Sequence, residues 1–79
     1  MLTPAEVVEA SFLESRHQLL EIAAMFDRYD AAVARAGGRN GRPADDGRLA
    51  ALRRALAIVA DPQPDRERTV ALLELFATV

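Results

Sequence analysis

The chain predicts an all-α fold built around one long first helix. Three observations carry this. Apolar residues recur at steps of three and four through residues 8–33, helix starts and stops stand at Thr3-Pro4, Gly37-Gly38 and Asp61-Pro62, and no period-two alternation of the strand type appears anywhere. The expected architecture is a three-helix antiparallel bundle or helical hairpin forming a single domain over residues 1–79. Helix 1 spans about 4–36, helix 2 about 46–60 and helix 3 about 65–78.

Thr3 offers a hydroxyl to an orphan backbone N–H, Pro4 is preorganised for the first helical position, and Glu6 completes a capping box. Nothing breaks helix 1 until Gly37-Gly38, and Arg35 places a cation in the last turn, where the helix dipole favours it. Residues 37–44 are Gly-Gly-Arg-Asn-Gly-Arg-Pro-Ala, without apolar periodicity, and read as a flexible loop. Asp45 or Asp46 is the expected cap of helix 2, Asp61-Pro62-Gln63-Pro64 ends it, and Asp65 is the expected cap of helix 3.

Val8, Phe12, Ser15, Leu19, Ile22, Phe26, Tyr29 and Val33 follow one another at alternating steps of four and three, with only Ser15 polar. That is the seam of a coiled coil or bundle. Leu19, Ile22, Phe26, Tyr29 and Val33 are the expected core positions of helix 1, with Leu49, Leu52, Leu56 and Val59 on helix 2 and Val70, Leu73 and Phe76 on helix 3. At about 1.5 Å per residue, helix 2 is less than half the length of helix 1. Val7, Val8, Phe12 and Leu13 therefore lie beyond its reach, and exposed apolar area of that kind marks an interface, to which Leu20 of a second stripe is added. The simplest closure is a homodimer in which two first helices pack antiparallel. The competing arrangement lays helix 3 along the same stretch within one chain, and a monomer then suffices.

Composition narrows the function classes. The chain has no cysteine, which excludes disulfides, thiolate metal sites and a cysteine nucleophile. A domain of this size has a core worth only a few kcal/mol, so a partner helix matters. Glu6, Glu9 and Glu14 interrupt the first twenty residues and no apolar run approaches the length of a membrane span, so a cytoplasmic location without membrane contact is expected. All ten basic residues are arginine, as in the proteins of GC-rich bacterial genomes. The formal net charge of −2 hides a segregation. Residues 1–30 are acidic, residues 31–54 carry six arginines against two aspartates, and the remainder is mildly acidic.

Glu14 and His17 form a Glu-x-x-His step, with Glu21 one turn further on, and all three fall on one helix face. In ferritin-like dinuclear carboxylate proteins the same step supplies two ligands from one helix. A dimer would duplicate Glu14, His17 and Glu21 around iron, manganese or zinc, although this face lies opposite the main seam and the chain holds no second such step. The competing reading is a solvated histidine beside two surface carboxylates. His17 also lies between Leu13 and Leu20, in a smaller second stripe that favours a partner contact.

Arg39, Arg42, Arg48, Arg53 and Arg54 form the basic concentration, but no aromatic residue is interleaved and the chain is acidic overall. Nucleic-acid binding is therefore disfavoured, and pairing with acidic groups of helix 1 accounts for these arginines without a ligand. Gly37-Gly38 and Asn40-Gly41 lack the lysine and spacing of a phosphate loop, and no catalytic constellation is evident. The run Glu-Ser-Arg-His-Gln-Leu-Leu-Glu-Ile-Ala-Ala-Met-Phe-Asp-Arg-Tyr-Asp, residues 14–30, resembles the first helix of a family of small uncharacterised bacterial helical proteins. That resemblance implies an all-helical fold and no particular activity. The expected role is a dimeric protein–protein interaction or structural module without catalysis. The alternative is a dimeric carboxylate/histidine metal-binding protein.

Overall fold

A computed structural model describes residues 1–36 and 47–79. Its elements are three helices, α1 (Pro4–Arg35), α2 (Arg48–Ala60) and α3 (Arg68–Ala77), with no strand among the described residues. The fold class is all-α, as the periodicity predicts. The Gly/Arg loop expected over 37–44 and the caps expected at Asp45 or Asp46 lie outside the described residues. The chain divides into two compact units, residues 1–43 and residues 44–79.

In the first unit, α1 is 32 residues long, about 48 Å at the standard rise. Its start follows from chemistry local to Thr3. That residue is extended, with φ −75° and ψ 161°, and its hydroxyl accepts from the Glu6 N–H at 3.2 Å. The Thr3 N–H in turn donates to Glu6 Oε1 at 2.8 Å. Two donors that the helix cannot satisfy internally are thereby bonded, and the Glu6 carboxylate faces the positive end of the dipole. The Thr3 backbone and side-chain hydrogen bonds hold the Glu6 carboxyl below its ordinary value. At the other end Ala36 leaves helical geometry while its N–H still donates to the Ala32 carbonyl at 3.0 Å.

In the second unit, α2 and α3 form an antiparallel hairpin. Arg48, Ala51 and Leu52 at the start of α2 share a groove with Phe76 and Val79 at the end of α3. At the opposite end the Arg68 guanidinium donates to the Asp61 carbonyl. Helix α2 opens on Gly47, whose φ of 92° is a left-handed conformation that suits glycine, and no side-chain cap is present. It closes where Asp61 turns extended ahead of Pro62.

The start of α3 differs from the sequence expectation. It begins at Arg68 behind Glu67, three residues after Asp65, and neither Asp65 nor Glu67 provides a side-chain cap. The connection is occupied otherwise. Asp61 Oδ1 accepts from the Gln63 N–H at 3.0 Å, Arg66 reaches forward to Glu74, and Arg68 reaches back to Asp61. Side-chain ties across the turn have replaced the expected N-cap.

Ala51 and Ala55, at 7% and 8% exposure, are the buried residues of the described chain. They stand one turn apart on α2, where methyl side chains allow a neighbouring backbone to approach closely. Leu49, Leu52, Leu56 and Ile58 are half-buried around them, whereas Val59 is exposed. On α3 the half-buried side comprises Arg68, Ala71, Leu72 and Leu75, and Val70, Leu73 and Phe76 are exposed. Phe76 still borders the groove beside Ala51 and Leu52.

Two outcomes follow from these ties. Thr3→Ala should cost about 1 kcal/mol of helix stability and fray the first turn; amide exchange at Glu6 and Val7 should speed up while the rest of α1 is unaffected. Glu6 and Glu74 both have lowered pKa values, Glu74 through its hydrogen bond and charge interaction with Arg66. A depressed folded value means stabilisation that is fully present above the unfolded value and lost as pH falls through the folded one. Helix content followed by circular dichroism should therefore decline on acidification below the ordinary carboxylate range, and added salt should shrink the Glu74 part because both partners are solvent-exposed.

Candidate functional site

The described face that departs furthest from a satisfied globular surface is the N-terminal two thirds of α1. Val8 is 61% exposed, Phe12 57%, Leu19 56% and Leu20 54%, and Leu13 reaches 76%. Val7 is also exposed. Toward the C-terminal end, Met25, Phe26, Tyr29 and Val33 are half-buried. The five residues expected at an interface thus stand at the surface of α1. Of the seam positions expected in the core, Leu19 and Ile22 are exposed.

The exposed seam has relief. Phe12, Ser15, Arg16, Leu19, Leu20 and Ala23 line a groove on its flank. Two overlapping sets of four can be drawn in this group, 12, 15, 16, 19 and 16, 19, 20, 23. Each has the spacing i, i+3, i+4, i+7, the outline of the hole that receives a side-chain knob in helix packing. In the first set Ser15 and Arg16 stand between Phe12 and Leu19, and Ser15 is the smallest side chain of the four. The seam residues were legible in the sequence as an apolar stripe, but Arg16 was not singled out. Framing the stripe in sets of four, as packing requires, would have found it.

The Glu-x-x-His step is only partly assembled. His17 Nε2 lies 3.2 Å from Glu21 Oε1, one turn along the helix, and the two side chains are 72% and 69% exposed. Glu14 joins neither of them. Among the described residues no group of three or more histidine, aspartate or glutamate side chains is placed to hold a metal ion. The preference for Glu21 over Glu14 is a consequence of helix geometry, since four-residue spacing brings two side chains nearly one above the other.

Of the arginine group, Arg39 and Arg42 lie outside the described residues, and Arg48, Arg53 and Arg54 are exposed along α2. Arg54 borders a groove with Ala50, Leu75 and Val79, so its stem packs over the hairpin. No described helix is long and apolar enough to cross a membrane. No family model, curated protein or solved structure matches the chain.

Proposed function

We propose that the chain is a helical interaction module that pairs with a second copy of itself through the exposed seam of α1, and that it carries no catalytic group. The observation behind this reading is the line of apolar residues Val8, Phe12 and Leu19, each more than half exposed on one helix face. A helix owes most of its stability in water to packing of its apolar face. An unpartnered face of this length therefore calls for a partner, and a second copy supplies an identical one under twofold symmetry. Leu20 borders the groove on the flank of this seam, whereas Leu13 lies round the helix from it, in the second stripe with His17.

A second reading is favoured by one observation, the closeness of His17 to Glu21. Two ligand-type groups from one chain do not close a metal site, but four or more from two chains would, with Glu14 from each helix added. Iron, manganese and zinc all accept such nitrogen and oxygen ligands.

The readings separate on one set of measurements. Size exclusion with light scattering on tag-free protein should give twice the chain mass, and Phe12→Asp or Leu19→Asp should return it to the monomer with helix content largely kept. Elemental mass spectrometry on the same fractions reads the metal. A structural dimer should be metal-free and indifferent to His17→Ala; near-stoichiometric metal that disappears with His17→Ala would move the metal reading into first place. Wild-type protein that stays monomeric at every concentration overturns both.

A further inference from the structure

Resting on the reading of α1 as a self-association surface, we infer the register of the pairing: an antiparallel dimer in which Phe12 of each helix enters the hole beside the partner's Ser15, and Glu9 of each helix pairs with the partner's Arg16.

Size complementarity gives the first argument. Ser15 is the polar interruption of the seam and Phe12 is its neighbour one step earlier. Phe12, Ser15, Arg16 and Leu19 all line the groove, and Ser15 is the smallest side chain of the four. In an antiparallel pair with its twofold axis between residues 13 and 14, the partner's Phe12 falls opposite Ser15, and the same contact is made again across the axis. Val8 then meets the partner's Leu19, and Ala5 meets the partner's Ile22. The large side chains face small or medium ones throughout, and the residues consumed are those left exposed on this face.

Charge supplies the second argument. Glu9 and Arg16 occupy equivalent positions on one flank of the seam, two helical turns apart, and both are exposed. Among the described residues neither makes an ion pair. In antiparallel helix pairs, flanking positions of this type face their own kind across the contact. The register set by Phe12 and Ser15 brings Glu9 and the partner's Arg16 to within about 3 Å of the same height along the axis. The other flank sets Ser11 against the partner's Gln18, without like charges.

Neighbouring registers are penalised. Sliding one heptad in one direction puts Arg16 against the partner's Arg16 on the axis, and one heptad in the other puts Glu9 against the partner's Glu9. A parallel pair opposes neither residue to a charge. A slide of three heptads toward the C-terminus also avoids repulsion, by pairing Arg16 with the partner's Asp30. It consumes Phe26, Tyr29 and Val33, which are already half-buried, and leaves Val8 uncovered.

Charge exchange tests this on the full chain by sedimentation equilibrium at low salt, with circular dichroism to verify helix content. Glu9→Arg and Arg16→Glu should each weaken the dimer roughly tenfold or more, because two symmetric attractions become two repulsions. The combined Glu9→Arg, Arg16→Glu variant should recover to within about threefold of wild type by the same reciprocity. Single variants that dimerise like wild type, a double variant as weak as either single, or loss of the dimer with Asp30→Arg but not Glu9→Arg each overturn the register while the dimer stands. A monomeric wild type would overturn the underlying reading instead.

Discussion

The exposed apolar stripe of α1 is the constraint on which the rest of this chain's physics turns. The 32 residues of α1 form one α-helix, yet backbone hydrogen bonds contribute little net stability in water, because the unfolded chain is bonded to solvent instead. A helix of this kind is held chiefly by removal of its apolar stripe from water. Here the stripe is real, regular and more than half exposed at Val8, Phe12 and Leu19. The helices of the second unit are 13 and 10 residues long, each less than half the length of α1. The capping box at Thr3 and Glu6 fixes where α1 begins, but it cannot substitute for packing.

The α2–α3 hairpin solves its own problem differently. With Ala51 and Ala55 at its centre it buries little area per residue and relies on close approach. Its turn is then fastened by polar ties. Asp61 accepts from Gln63 with its side chain and from Arg68 with its carbonyl, and Arg66 pairs with Glu74. The Nε of Arg68 is buried without a hydrogen-bond partner. Part of the gain from that guanidinium is thus offset by a desolvated donor, consistent with a hairpin of modest stability.

How far the sequence foretold this depends on the kind of signal each element carries. The start of α1 was legible because Thr3, Pro4 and Glu6 act through contacts three residues apart, which sequence displays directly. The start of α3 was not. Asp65 has the chemistry of an N-cap, but Arg66 and Arg68 make contacts eight and seven residues away, and these set the geometry of the turn. The inward face of α3 was equally hidden. Val70, Leu72, Leu73, Leu75 and Phe76 surround the helix, so periodicity selects no side, and only the position of Ala51 and Ala55 opposite decides. The metal-type step shows the same limit on a smaller scale: sequence places Glu14, His17 and Glu21 on one face, but rotamer reach joins His17 only to Glu21.

Ser15 is where sequence, packing and association meet. A hydroxyl in an otherwise apolar seam costs burial energy wherever it is covered, so a seam optimised for stability alone would carry leucine there. Its small size, however, creates the only kind of site along this stripe that a phenylalanine fills better than it fills a flat apolar row, and one polar seam residue is a known way for helix pairs to fix their register. The hydroxyl need not be left without a partner, since a helical serine can donate to the carbonyl one turn back, here that of Ser11. On the proposed register the penalty is therefore small, while every slid alternative loses the fit with Phe12; the two-heptad slide that brings Phe26 opposite Ser15 instead sets Glu9 against the partner's Asp30. Glu9 and Arg16 then add a charge criterion at the same height. Two weak preferences, one steric and one electrostatic, select the same alignment, and that agreement is what distinguishes a specified contact from mere apolar adhesion.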